Sequence, residues 1–261
     1  ELFLPLVGAG NEGPLMRSLA LSISGRYDHY SDFGSTTNPK VGVTWEPTEG
    51  LAVRGSWGTS FRAPGLRQLG ATIGSFYTAA AGAAALDASL AGVQTIYLSG
   101  GNPDLAPEEA TTWSFGFDLA PASLPAFRAS LTYYSVDYTN VIASPTLPQV
   151  FADSVLTNSL VFYDAAYAPG SNPDIDTLLG IAIPSGGSPI AGNPIFVVDR
   201  RNQNLSSLTT DGLDFNAGYR WATDFGAVYA GLAGHYVLNY DTRFSLKAAE
   251  SDALKLGLPR W

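Results

Sequence analysis

Cysteine is absent from this 261-residue chain, and its absence excludes several kinds of chemistry. Without a thiol there is no disulfide framework, no thiolate metal site and no cysteine nucleophile. Histidine is almost as scarce, since only His29 and His235 are present. Neither has a His, Asp or Glu partner at the spacing of metal ligands in the sequence, so both are interpreted as rim or lumen side chains. We therefore expect no metal and no cofactor.

Charge is also scarce. Charged residues make up 14% of the chain, against roughly 25% in typical soluble domains. The net charge is −9, and the 14 basic residues are scattered except for the adjacent Arg200 and Arg201. Because nucleic-acid binding requires clustered Lys and Arg, no nucleic-acid partner is expected. No apolar run approaches the roughly 20 residues that a membrane-spanning helix needs.

Catalytic and nucleotide-binding motifs are missing or fail in context. The stretch Gly8–Gly13 matches G-x-G-x-x-G, but Pro14 and a strand pattern follow it instead of a helix, so it is interpreted as a turn. The stretch Asn172–Asp176 imitates the start of a calcium loop, but Thr177 and Ile183 stand where Gly and Glu are needed. The sequence therefore does not indicate an enzyme.

What the chain has in abundance is residue alternation with the period of a β-strand, beginning with the stretch Leu19–Pro64. Val41, Val43 and Trp45, for example, share one parity, while small and charged residues occupy the other. Equivalent runs predict strands over about 1–7, 17–30, 37–46, 51–59, 108–119, 126–138, 208–221 and 225–240, with another beginning at 254. The fold class is therefore all-β and antiparallel.

Connection lengths and aromatic placement indicate which side of these strands faces water. Short turns alternate with two very long stretches, about 61–107 and 139–205, which are predicted to be irregular. Compact soluble domains rarely contain such loops, whereas outer-membrane barrels combine short turns with long extracellular loops. Trp45 and Trp221 lie beside short turns, where an aromatic girdle belongs. These features favour a membrane barrel with an apolar outside and a polar lumen.

Three stretches of the chain resemble TonB-dependent outer-membrane receptors. They are Gly25–Trp45, Leu51–Leu69 and Gly101–Leu119, and they include the patterns SFRAP and GNPxLxPE that flank a long extracellular loop in that family. The resemblance covers nearly the whole chain. It implies an integral up-and-down β-barrel of about 22 strands in the Gram-negative outer membrane. It also implies active uptake of a scarce ligand such as an iron chelate, a cobalamin or an oligosaccharide.

The same resemblance implies that residues 1–261 are one part of such a barrel domain. About nine strands cannot close a barrel of about 22, because strand number and diameter are linked. The expected fragment is therefore an open or incomplete C-terminal barrel portion. The plug domain and the segment that contacts the TonB complex are expected to lie outside it, and the expected partners are membrane lipid, lipopolysaccharide, TonB and a small-molecule ligand.

Two groups of residues are singled out as site candidates. Ligand contact is expected from the long connections and the tops of strands, where Arg and Tyr can bind anionic or planar groups. The candidates are Arg62, Arg67, Tyr77, Tyr97, Tyr163, Tyr167, Arg200 and Arg201. The family-motif residues are expected to be architectural, with Glu108 at a wet rim. They are Phe61, Arg62, Ala63, Pro64, Gly101, Asn102, Pro103, Leu105, Pro107 and Glu108.

Two other functions fit the alternation. One is a passive porin or autotransporter-like barrel, which a plug domain in the full gene would distinguish from a receptor. The other is a soluble β-sandwich adhesin or carbohydrate-binding module. In that sandwich Leu21, Val43, Phe115 and Leu232 would converge on a dry centre between two stacked layers.

Overall fold

The computed structural model describes residues 1–31, 33–70, 72–78, 93–185, 192–244 and 251–252. The strands are β1 Leu2–Val7, β2 Ser18–Tyr30, β3 Gly34–Thr48, β4 Leu51–Arg62, β5 Gly74–Thr78, β6 Gln94–Ser99, β7 Glu108–Leu119, β8 Phe127–Ala143, β9 Val161–Tyr167, β10 Ile183–Ser185, β11 Asn193–Asp199, β12 Gln203–Thr223, β13 Gly226–Arg243 and β14 Ser251–Asp252. The helices are α1 Leu66–Gly70, α2 Leu147–Ala152, α3 Ser154–Leu160 and α4 Pro173–Gly180. No helix in these residues is long and apolar enough to cross a bilayer.

Nine strands form one large antiparallel sheet, which we call the wall sheet. Its order is β1-β2-β3-β4-β7-β8-β12-β13-β14, so that each strand pairs with the next one of the sheet along the chain. Among the described residues no pairing joins β1 to β14, and the sheet is open. The eight predicted strands that lie within the described residues are confirmed as β1, β2, β3, β4, β7, β8, β12 and β13, and they pair antiparallel. The strand predicted from 254 onward lies outside the described residues.

The strands of the wall sheet are long, and their connections alternate in length. The strands β2, β3, β4, β7, β8, β12 and β13 contain 12 to 21 residues, whereas ordinary strands contain about 5 or 6. At one edge, the turn edge, short turns at 49–50, 120–126 and 224–225 connect them. Gly50 adopts a φ of +81°, and a Cβ there would lie 2.3 Å from the Ala120 carbonyl oxygen. The opposite edge, the loop edge, carries the long connections 63–107 and 144–202.

The two faces of the wall sheet differ sharply. The strand register places apolar residues of neighbouring strands opposite one another on the same face, for example Val53 opposite Phe117 and Leu131 opposite Phe215. On the other face Arg54 forms an ion pair with Asp118 at 2.7 Å. The apolar face stays uncovered, since Phe115 is 56% exposed and Leu232 is 66% exposed. The alternative of a soluble β-sandwich, in which these side chains would be buried between two layers, is therefore wrong.

The prediction that both long connections are irregular is wrong. They contain β5, β6, β9, β10 and β11 and all four helices, and the strands form a second sheet with the order β10-β5-β6-β11-β9. We call it the loop sheet. β6 from the first connection pairs in parallel with β11 from the second. Neither connection can form this sheet alone, which is why a reading of each stretch by itself does not show it.

The hydrophobic core of the described residues lies in and around the loop sheet. Ile96, Ile195 and Val197 are at most 3% exposed and form one cluster with residues of α4. Val150 and Val198 belong to a second cluster beneath α2 and α3. Strand β11 has a continuous apolar run, which is typical of a strand buried on both faces. The loop sheet is therefore a packed module supported by the wall sheet.

Candidate functional site

Glu108 joins three strands at the loop edge. Its side chain is fully buried and accepts hydrogen bonds from the Arg62 guanidinium on β4 and the Tyr138 hydroxyl on β8. It also accepts one from the Ile142 backbone N–H at 2.8 Å. The expectation of a solvated rim carboxylate at Glu108 is therefore wrong. Sequence reasoning also missed Tyr138, whose role depends on the register between β7 and β8.

The second family motif is braced by side-chain amides. Asn102 donates from Nδ2 to the Asn202 carbonyl at 3.0 Å, and its Oδ1 accepts the Asp104 N–H at 3.1 Å. Asn204 contacts Ala106 twice, accepting its N–H and donating to its carbonyl, each at 2.9 Å. These bonds join the ends of the two long connections. The architectural role of the motif stays a prediction.

Several predicted ligand residues are engaged within the loop sheet. Arg201 is 9% exposed and donates to Asp199 from Nη2 at 2.7 Å. Arg200 donates from Nε to the Pro145 carbonyl at 2.8 Å. Tyr167 is 3% exposed and donates to Asp176 at 2.7 Å. Burial, together with that hydrogen bond, raises the pKa of Tyr167 from 10.0 to about 12. These three side chains already have partners that stabilise the module.

The remaining candidates are scattered over the loop-edge structure. Tyr97 on β6 packs against the second core cluster, and burial raises the pKa of its phenol. Tyr163 on β9 is 49% exposed and packs on Phe196 with ring centroids 4.7 Å apart. Arg67 is exposed on α1. Tyr77 lies on β5, and its side chain falls outside the described residues. Binding by these residues stays a prediction.

A concavity of about 630 Å³ lies at the loop edge of β2, β3 and β4. We call it the cationic cleft. The pairing of β3 with β4 ends at Lys40 and Gly58, whereas β4 continues to Arg62, so the cleft begins where the two strands separate. A Cβ at Gly58 would lie 3.1 Å from Lys40 Cγ. The bare backbone at Gly58 therefore gives room to the Lys40 stem.

Among the residues that the structure describes, three cations and no carboxylate line this cleft. Arg26, Lys40 and Arg62 face it, in a chain whose net charge is −9. Arg26 pairs with Asp28 at 2.6 Å, and Arg62 pairs with Glu108. Within the described residues Lys40 has no ion-pair or hydrogen-bond partner. One positive charge is therefore left to attract an anion.

Aromatic rings form one side of the cleft. Tyr30 stacks on Phe33 with centroids 4.5 Å apart, and Phe61 packs edge-on against Tyr30 at 6.0 Å. The Arg26 guanidinium lies 6.0 Å from the Phe61 ring centroid. Charge next to exposed ring surface suits an anion that also has a planar group.

Of the predicted ligand residues whose side chains the structure describes, only Arg62 lines the cleft. Sequence reasoning missed Arg26 and Lys40 because it searched the long connections. Their place in the cleft depends on the pairing of β2 with β3, which sets Ser24 opposite Lys40 and cannot be read from the sequence. Among the described residues, no group of three or more His, Asp or Glu side chains could hold a metal ion.

Comparison with known proteins identifies the family. The family model for the TonB dependent receptor-like β-barrel matches residues 11–261, nearly the whole chain. This chain belongs to that family. Its place in the TonB-dependent receptor family also establishes that it is an outer-membrane β-barrel protein. The exposed apolar face of the wall sheet is therefore the face that contacts lipid.

Two similar proteins show how much of a TonB-dependent receptor is present. An iron-regulated outer membrane virulence protein of Vibrio cholerae is 29% identical over 138 residues, which are 53% of this chain and 18% of that protein. A ferric enterobactin receptor mutant of Pseudomonas aeruginosa, solved with enterobactin, is 18% identical with a TM-score of 0.50. That match covers 87% of this chain and 28% of the receptor. The chain thus spans less than a third of either protein.

Proposed function

We propose that this chain is part of an outer-membrane receptor that binds an iron chelate and imports it in a TonB-dependent manner. The observation that carries this proposal is the cationic cleft, whose described lining residues include three cations and no carboxylate. Among the three expected ligand classes, a negatively charged chelate fits this charge best. The two similar proteins named above are an iron-regulated protein and a ferric enterobactin receptor, which supports the same choice.

In this proposal Lys40 makes the first contact with the ligand. An ammonium without a protein partner gains more from an incoming anion than a guanidinium already paired with Asp28 or Glu108. Arg26 and Arg62 then add charge-assisted bonds from their remaining N–H groups. Phe61 and Tyr30 provide ring surface for a planar ligand group. The loop sheet and the segments next to it, which contain the other predicted ligand residues, would form the extracellular side of the pathway.

The remaining parts of the function belong to the complete receptor. A plug segment would contact the TonB complex, and membrane lipid and lipopolysaccharide would surround the apolar face. The proposal assigns no catalytic step to this chain. A passive porin remains the alternative, and it would need neither a tight ligand site nor an energy source.

A binding experiment tests the cleft directly. The full-length receptor containing Lys40→Ala is titrated with ferric enterobactin, the chelate named for the similar Pseudomonas receptor. Loss of one charge-assisted contact of about 1.5 to 3 kcal/mol predicts a dissociation constant roughly 10 to 100 times higher. Arg17→Ala is the matched control, because Arg17 is an exposed cation at the turn edge, paired with Glu49. Equal affinities of the Lys40 variant and the wild type would contradict the proposal that the cleft binds the ligand.

A transport experiment separates receptor from porin. Cells that rely on the receptor take up radiolabelled ferric chelate before and after addition of a protonophore. Active import predicts that uptake stops when the proton gradient collapses. Uptake that continues at the same rate would support the porin alternative.

A further inference from the structure

The polar face of the wall sheet holds a histidine that is contacted from two neighbouring strands. His235 on β13 lies opposite Asp214 on β12, and His235 Nδ1 is 2.6 Å from Asp214 Oδ1. Tyr134 on β8 places its hydroxyl oxygen 3.1 Å from His235 Nε2. The sequence showed no partner for this histidine because the partners come from other strands. Three adjacent strands thus bring a carboxylate, an imidazole and a phenol together.

Gly212 makes this arrangement possible. It lies on β12 opposite Tyr134, and a Cβ there would be 2.5 Å from the Tyr134 hydroxyl and 2.9 Å from Cζ. The bare backbone therefore lets the Tyr134 ring lie across β12 and reach β13. The Tyr134 and His235 rings are nearly parallel, with an interplanar angle of 15° and centroids 5.4 Å apart.

The Tyr134 hydroxyl oxygen and His235 Nε2 lie close enough together for both to contact one ion. In the tautomer whose Nδ1 donates to Asp214, the Nε2 atom of His235 carries a lone pair beside the Tyr134 oxygen. An ion roughly 2.0 to 2.1 Å from both atoms would subtend an angle of about 100°, between octahedral and tetrahedral values. A carboxylate on the second ring nitrogen is the partner that metal-bound histidines generally have.

We propose that His235 Nε2 and Tyr134 Oη form a binding site for a divalent first-row transition-metal ion, with Asp214 orienting the imidazole. On binding, the metal replaces the phenol proton, which is released to solvent, and water occupies the other coordination positions. Cu²⁺ is the preferred ion in the Irving–Williams order for such donors. This site is separate from the cationic cleft, which attracts anions, so it goes beyond the proposed function.

Copper titration of the full-length receptor in detergent tests this site. One equivalent of Cu²⁺ is expected to produce a visible tyrosinate-to-copper charge-transfer band and a copper EPR signal with nitrogen coupling. Tyr134→Phe is expected to abolish the band, and His235→Ala to abolish the nitrogen coupling. Each is expected to weaken binding at least tenfold. Asp214→Asn is expected to weaken binding while the band remains.

Two further variants keep the result interpretable. His29→Ala is the matched control, because His29 is the only other histidine of this chain and shares the parity of Leu21, beside Ser35. It is expected to bind copper like the wild type. Gly212→Ala removes no donor, but its Cβ would lie 2.5 Å from the Tyr134 hydroxyl and 2.6 Å from the Tyr236 carbonyl oxygen, so it displaces the ring and is expected to lose the band. Copper binding that survives both Tyr134→Phe and His235→Ala, or that depends on His29, would overturn the proposal.

Discussion

Glu108 is the side chain whose surroundings differ most from those its sequence context indicates. It follows two prolines and precedes Glu109, which is the setting of a solvated carboxylate. In the structure it accepts hydrogen bonds from Arg62, Tyr138 and the backbone of Ile142. A buried carboxylate is stable only when its oxygens are bonded in this way. We infer that Glu108 fixes the loop ends of β4, β7 and β8 relative to one another.

Glu108→Ala is expected to reduce the free energy of unfolding by about 2 to 4 kcal/mol, because it leaves the Tyr138 hydroxyl and the Ile142 N–H unpaired. The measurement is urea unfolding of the full-length receptor in detergent micelles, followed by tryptophan fluorescence. Glu109→Ala is the control, since Glu109 is exposed, and it should change stability by at most about 0.5 kcal/mol. Equal effects of both substitutions would contradict the structural role of Glu108.

Of the three cationic residues of the cleft, one could be predicted from the sequence and two could not. Arg62 could be named because it belongs to a motif. Arg26 and Lys40 could not, because their convergence depends on the β2–β3 register and on the point where β3 and β4 separate. Alternation gives the face on which a side chain lies, but it does not give the height of that side chain relative to a neighbouring strand.

Some secondary-structure elements could be predicted from the sequence, and others could not. Strands such as β7 and β13 were predictable, because alternation over 12 or more residues is a local signal. The loop sheet was not predictable, since β6 and β11 come from different connections and pair across about 100 residues. Strand β11 is also buried on both faces and does not alternate. Helix α4, in the second long connection, does have a local sequence signal, because the Asn172 side chain caps its N-terminus by accepting a hydrogen bond from the Ile175 N–H.

Tyr167 makes the stability of the loop sheet depend on pH. Its pKa is raised to about 12, so the folded module holds the phenol proton more tightly than the unfolded chain does. The stabilisation from this group is therefore complete below pH 10 and is lost as the pH rises through about 12. Hydrogen exchange of β9 and β11 amides, corrected for intrinsic rates, should show lower protection in that range.

Tyr167→Phe should remove this contribution between pH 10 and 12 and cost about 1 kcal/mol at neutral pH through the lost bond to Asp176. Tyr163→Phe, on the exposed side of the same strand, is the control and should keep the wild-type pH profile. An unchanged alkaline profile in Tyr167→Phe would show that other groups control the transition.

At the scale of the whole described structure, the wall sheet leaves its apolar face exposed, and the hydrophobic core lies at the loop edge instead of against that face. The buried apolar side chains belong to the loop-edge structure, whereas the wall sheet exposes large apolar side chains on one face. Such a surface is stable only when lipid covers it. Within the described residues, the strands at both ends of the open wall sheet have one unpaired side, and adjoining strands of a complete barrel would pair with them.

Arginine substitutions at adjacent positions of β13 test this arrangement energetically. Leu232→Arg places a charge on the lipid face and should cost about 2 to 4 kcal/mol near the bilayer midplane. Ala233→Arg places the same charge on the polar face, opposite Asn216, and should be much milder. The measurement is urea unfolding of the full-length receptor in lipid bilayers. Similar costs at both positions would contradict the assignment of faces.

The most direct measurement uses the absence of cysteine, because any introduced cysteine is the only one in this chain. Nitroxide labels at Leu232→Cys and Phe115→Cys, and at Ala233→Cys and Ser114→Cys, report collision rates with oxygen and with a water-soluble nickel chelate in bilayers. The account predicts high oxygen and low nickel accessibility at Leu232 and Phe115, and the reverse at Ala233 and Ser114. Equal accessibilities at the apolar-face and polar-face positions, or the opposite pattern, would contradict the assignment of the apolar face to lipid.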